Sequence, residues 1–206
     1  LNRLARPFGL AAALSLALAA GVPAQADAVS EGRALIRSMG DTVVAILANK
    51  GLPKAQREER FKAIYRANFD HAVIAAYVMG APWKGATGQE KGEYLGLFET
   101  YVAKVYAAQL SSYSGEKFEV TGAEAEDSGA TITSRIVDSK SGRTVDIKWR
   151  LRPNAGKLKV RDVLIENLSM SLNQRREFSA VVQRGGGTAA ALIAAMREKI
   201  AQLDKQ

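Results

Sequence analysis

The chain has no cysteine and one histidine, His71. Without cysteine there is no disulfide, no thiolate nucleophile and no sulfur-held metal. One imidazole cannot provide the three or four clustered ligands zinc needs, and no stretch has the oxygen-rich spacing of a calcium loop. No serine sits in a nucleophile elbow, and no glycine-rich dinucleotide fingerprint follows a strand. Long apolar runs are missing too. Phe8 to Ala20 is the best of them and falls short of the ~20 residues that span a bilayer. The catalytic inventory is therefore thin, and the fold must be held by its core alone.

What the N-terminus does hold is the layout of an export signal. Arg3 and Arg6 form a basic front, Phe8 to Ala20 an apolar stretch, and Ala24-Gln25-Ala26 an A-x-A cleavage site. Residues 1–26 are expected to be removed, leaving 27–206 as a single exported domain large enough for a sizeable core. Export without cysteine points to a bacterial periplasm. The formal charge is +8, two units of it from Arg3 and Arg6. Such a surface suits anionic lipid headgroups or an acidic partner. Export disfavours nucleic acid, and the cations Lys50, Lys54, Arg57, Arg60, Lys62 and Arg66 are spread along a solvated helical face rather than bunched.

The first half of the exported chain has helical periodicity. Leu35, Met39, Val43, Ile46 and Leu47 form one stripe, closed by Lys50-Gly51. Phe61, Ile64 and Tyr65 mark a second helix after Pro53. Asp70 suits the N-cap of a third, which Gly80 and Pro82 stop. Thr87-Gly88-Gln89-Glu90 is a capping box for a long helix to about Ser112. Tyr94, Leu97, Phe98, Tyr101, Val102, Val105 and Leu110 make its apolar face.

From Glu116 the period becomes two. Phe118 and Val120, then Ala130, Ile132, Ser134 and Ile136, then Val145, Ile147, Trp149 and Leu151 alternate with polar neighbours. Turns at Asp127-Ser128-Gly129, 139–142 and Pro153-Asn154-Ala155-Gly156 divide four strands of an antiparallel meander. In the last strand Leu158 and Val160 are out of phase with Val163 and Ile165, which predicts a bulge near Arg161-Asp162. Ser171-Leu172-Asn173-Gln174 is a second candidate capping box. Gly185-Gly186-Gly187 fits either an inter-helix joint or a phosphate cradle, and Thr188 to Leu203 a terminal helix. The fold class is α+β: helices, a twisted four-stranded sheet, then helices.

Two chemistries stay open on this pattern. His71 beside Asp70 fits a general base or a cap-region residue, and Asp162 is a further candidate base. The apolar sheet face under amphipathic helices fits a solid core or a cavity. Tyr94, Tyr101, Tyr106 and Tyr113 suit a cavity mouth, ring dry and hydroxyl wet.

Several segments, in order, resemble one family. They are Phe69-Asp70, then Gly80-Ala81-Pro82-Trp83 with Ala86-Thr87 and Gln89, and then Tyr113-Ser114-Gly115. Val160, Asp162, Val163, Glu166 and Ser169 follow, then Asn173, Arg175, Phe178 and Gly185-Gly186. Asn167 stands where the family has Gly, and Gln174 where it has Tyr. The pattern is similar to the periplasmic MlaC-type component of the Mla phospholipid ABC transport system, the toluene-tolerance auxiliary family. The resemblance implies an NTF2-like α+β fold whose curved four-stranded sheet and helices enclose an apolar cavity. It implies a soluble, non-enzymatic carrier with no cofactor and no metal, serving outer-membrane lipid asymmetry. The partners would be phospholipid, an inner-membrane ABC transporter with an MCE-domain subunit, and an outer-membrane lipoprotein complex. A relative linked to hopanoid metabolism keeps a carrier or enzyme for a hopanoid or isoprenoid-type lipid as the alternative.

Two sixteen-carbon tails at about 0.8 kcal/mol per methylene represent roughly 25 kcal/mol of transfer free energy, which calls for an enclosed site. The lining residues expected are Tyr94, Phe98, Tyr101, Val102 and Val105 from the long helix. The sheet would add Ile132, Ile136, Ile147, Trp149 and Val163, with Val145 or Leu151 equally placed. A binding module with a solid interior, acting through its basic surface, is the third reading.

Overall fold

The computed structural model describes residues 22–110, 113–138 and 140–205. The expected signal segment lies outside these residues except for its last five, which begin the first helix. Helices α1 (Val22–Ala48), α2 (Lys54–Asn68), α3 (His71–Met79), α4 (Pro82–Gly85) and α5 (Gly88–Gln109) come first. Strands β1 (Lys117–Glu126), β2 (Gly129–Val137), β3 (Thr144–Asn154), β4 (Lys157–Ile165) and β5 (Leu168–Ser169) follow, then α6 (Met170–Arg184) and α7 (Ala189–Leu203). The fold is α+β, with an open antiparallel sheet in the order β1-β2-β3-β4-β5. The sheet thus has five strands, not four. Its extra member is two residues long, too short for any alternation to announce it.

Local chemistry explains most element ends. Thr87 and Glu90 form the capping box: Glu90 N donates to Thr87 Oγ1 (3.2 Å) and Thr87 N to Glu90 Oε2 (2.8 Å). The expected box at Ser171 is displaced. Ser169 caps α6 by accepting from Leu172 N (3.1 Å), because Ser171 is held two residues on by Asp162. Asp70 occupies the N-cap position of α3 but makes no capping bond; its carboxylate goes to Arg161. The triple glycine closes α6. Gly185 N donates to Val181 O (3.0 Å) and Gly187 N to Val182 O (2.8 Å), so these amides are committed to the helix rather than offered to a phosphate.

The β4 bulge falls where the phase change placed it. Arg150 pairs with Asp162 and Leu151 with Val160, leaving Arg161 unopposed. This extra residue puts Leu158, Val160, Val163 and Ile165 all on the inner face. A second, unforeseen bulge sets Thr121 aside between Val120 and Gly122.

Apolar side chains gather in three places. Ile36 and Met39 of α1 pack on Ala130, Ile132, Leu151, Leu158 and Val160 of the sheet. Tyr65, Val78, Met79, Tyr94, Phe98, Phe178, Leu192 and Met196 make an all-helical core. Ile46, Leu47, Leu52, Phe61 and Ala107 close the far end of α1 and α2. Phe69 packs against both the sheet cluster and the helical cluster, and so joins them.

Candidate functional site

One face of the sheet carries most of its apolar strand positions, Leu164 and Val137 being on the other. The ladder Ile136–Val145, Ser134–Ile147–Ile165 and Ile132–Trp149–Val163 sets these residues side by side. α1 covers only one end of that face. Gly32 lies close against Ile132, and Gly40 sits so near the Phe118 ring that a Cβ there would clash with it. The long helix α5 does not share this cover. It packs on α7 and α2, with a smaller contact to α3.

Some apolar side chains of α5 and of the inner sheet face are buried or half-buried without belonging to any of the packed clusters. From α5 these are Val105 and Tyr106; from the sheet they are Ile136, Ile147 and Ile165. Ile147 is only 6% exposed. Trp149 and Val163 pack against the sheet cluster, and Tyr101 and Val102 against the helical one. Trp149 satisfies its indole by donating from Nε1 to Ser134 Oγ (2.8 Å), so the only buried hydroxyl on this apolar face is used internally. Burial raises the pKa of the Tyr101 and Tyr106 hydroxyls above the ordinary phenol value.

The ten expected lining residues therefore divide. Tyr94, Phe98 and Ile132 are packed solid, at 0%, 2% and 0% exposure. Tyr94 is not at a mouth with a wet hydroxyl: its OH donates to Ala75 O (3.0 Å) deep in the helical core. Tyr101, Val102, Val105, Ile136, Trp149 and Val163 are half-buried, and Ile147 is buried. Ile165, not among the ten, joins them because the bulge returns it to the inner face opposite Ile147. The out-of-phase spacing of the last strand was the signal for it. Leu151 is buried under α1, whereas Val145 is exposed at the sheet's open end.

Two grooves open elsewhere. One of about 280 Å³ lies between α5, α6 and α7, floored by Phe178, Leu192 and Met196 with Tyr101 at its edge. Another of about 340 Å³ lies between α1 and α2 beside Ile46 and Ile64. Both are at or below the low end of the about 300–1,000 Å³ range of pockets for drug-sized ligands, and a two-tailed lipid is larger than such ligands.

The candidate bases are engaged. Asp162 accepts from Ser169 Oγ (2.7 Å), Ser171 Oγ (2.7 Å) and Ser171 N (3.2 Å), tying β4 to the start of α6. Asp70 is paired with Arg161 at 2.9 Å. The His71 ring sits edge-on to Tyr65 and near Phe98, and burial lowers its pKa. Among the described residues no three His, Cys, Asp or Glu side chains are grouped to hold a metal.

The resemblance motifs act mainly as scaffold. Phe69 bridges Val160, Asp70 N donates to Val160 O (2.9 Å), and Gly80 turns at φ +76° beside the Arg175 guanidinium. A phospholipid-binding protein from Ralstonia solanacearum, solved in complex with a phospholipid, has the same fold. Its TM-score is 0.71 at 20% identity, with 84% of this chain and 99% of that one covered. The family profile described as MlaC protein matches residues 37–198. That span is most of the sequence, and the chain belongs to the MlaC family.

Proposed function

We infer that the protein is a periplasmic lipid carrier. Its exported domain, 27–206, holds phospholipid tails between α5 and the inner face of the sheet and moves lipid between the membranes. The observation that carries this reading is the set Val105, Tyr106, Ile136, Ile147 and Ile165, buried or half-buried yet packed into no core cluster. Apolar side chains outside the packed cores are where hydrocarbon adds dispersion contacts. Family membership and the phospholipid-bound neighbour support the same reading. The lining is assigned to Tyr101, Val102, Val105, Ile136, Ile147, Trp149 and Val163, with Tyr106 and Ile165 added.

An MCE-bearing inner-membrane ABC transporter and an outer-membrane lipoprotein complex are the partners this role requires. Binding without catalysis fits the side chains. Asp162 and Asp70 are spent on structural bonds, and His71 is wedged among aromatic rings. The test is to purify the protein without detergent, extract it with organic solvent and weigh the extract by mass spectrometry. Near-stoichiometric phospholipid is expected. A lipid-free extract contradicts the reading, and a hopanoid in its place would redirect the cargo.

A further inference from the structure

Five large apolar side chains are exposed among the described residues: Val73, Tyr77, Val145, Leu168 and Leu172. They are not scattered. Val73 and Tyr77 are one turn apart on α3, which packs against α6, where Leu172 stands. Leu168 precedes the α6 cap and pairs with Ile165, which the carrier reading assigns to the lipid site. Val145 stands at the start of β3 beside the same turn, where Glu166 N donates to Asp146 O (3.0 Å). An all-apolar helix is normally buried on every side. From Ala72 to Met79, α3 has no charged residue, and yet Val73 and Tyr77 are each 42% exposed.

The margin of this flank is cationic. The Arg175 guanidinium lies 4.7 Å over the Tyr77 ring, and its Nη1 donates to Tyr77 O (3.0 Å). Arg176 is exposed one turn from Leu172. Each nearby carboxylate has a partner, a cation for Asp70 and neutral amides for Glu166 and Glu177. Asp70 is on Arg161, Glu166 accepts from Asp146 N, and Glu177 accepts from the amides of Asn173 and Gln174. An apolar strip with an aromatic ring and arginines beside it is the composition of an interfacial anchor, apolar bodies in the acyl boundary and cations at the phosphates.

We propose that this flank docks on the surface of an anionic phospholipid bilayer. Val73, Tyr77, Leu168 and Leu172 sink to headgroup level, and Arg175 and Arg176 meet phosphates. The proposal rests on the carrier reading and adds to it the edge at which lipid enters and leaves: Leu168 is where the bilayer surface and that lipid site meet.

The experiment is flotation of the purified protein with vesicles of phosphatidylcholine alone and of phosphatidylcholine mixed with phosphatidylglycerol. The lipid content of each protein is measured alongside. The protein is expected to float with the mixed vesicles only, and less so as salt is raised. Tyr77→Ser combined with Leu172→Ser should lower vesicle affinity roughly tenfold or more, and Arg176→Gln about fivefold. Arg37→Gln, an exposed cation on α1, should leave it unchanged. The substituted side chains are at the surface, so circular dichroism should match the parent.

Bilayer docking is overturned, with the carrier reading intact, if the parent carries lipid but ignores both vesicles. The same holds if Arg37→Gln weakens binding as much as Arg176→Gln. Specific crosslinking of the flank to a protein without vesicle binding also overturns it. A parent without lipid that still floats overturns the carrier reading alone.

Discussion

Arg161 Nε lies 2.9 Å from Asp70 Oδ2, the carboxylate 4% exposed and the guanidinium 38%. Arg161 is the residue that the β4 bulge sets aside from the ladder. The irregularity that bends the sheet therefore also turns a cation toward the corner between α2 and α3. There Asp70 N is already fixed on Val160 O.

This pair should be asymmetric under mutation. Arg161→Met leaves a buried carboxylate without a partner and should cost roughly 3 kcal/mol. Asp70→Asn keeps a polar group in place and leaves an arginine that can turn to water, so about 1 kcal/mol is expected. Chemical denaturation of both variants measures the difference. Equal losses would mean that Asp70 is not the group in need of compensation.

Val105→Trp separates a hollow from a core. In a packed interior the added bulk would destabilise by about 1–3 kcal/mol. Facing unfilled space it should leave the denaturation midpoint unchanged and reduce the copurified lipid. Phe98→Ala is the contrasting variant: in the ring cluster with Tyr94 and Phe178 it should cost about 3–5 kcal/mol. The readouts are the denaturation midpoint and the lipid-to-protein ratio.

His71 predicts a pH dependence of known sign. Burial lowers its folded pKa below the unfolded value, so the unfolded chain binds more protons in that interval. Its contribution is complete above about pH 6.5 and is lost as pH falls through the folded value. His71→Phe should remove that slope. Because there is no other histidine in the chain, a difference between the two stability curves below neutrality is assignable to this ring. Parallel curves would contradict its burial.

Asn167 takes φ +65° in the turn from β4 to β5, beside Glu166 at φ +48°. The left-handed region favours glycine first and asparagine next. Asn167→Gly should therefore be close to neutral, and Asn167→Ala should cost about 1 kcal/mol, read from thermal denaturation. A neutral alanine would remove the backbone reason for asparagine here.

The same position shows how much was legible in the sequence. Asn167 looked like a departure from a pattern and is a conservative solution to a backbone demand, visible only once φ is known. The helices, the meander and the β4 bulge were legible, since each leaves a period or a break in period. The two-residue β5 leaves none. The α6 cap was misplaced by two residues because Asp162, distant from Ser171 in the chain, competes for its hydroxyl. The site was half legible. Tyr94, Phe98, Val102 and Val105 share one stripe of α5, and periodicity marks all of them as inward. Whether an inward side chain meets another side chain or a space depends on where α5 sits relative to the sheet. That is set by α2 and α7, elements with no local relation to the stripe.

The most direct measurement is photocrosslinking with a phospholipid bearing a diazirine near the acyl terminus, loaded into the purified protein and mapped by peptide mass spectrometry. The account predicts adducts on α5 around Val105 and Tyr106 and on β3 and β4 around Ile147 and Ile165. Labelling confined to the groove floored by Phe178, Leu192 and Met196, or no labelling of a protein that carries lipid, would contradict it.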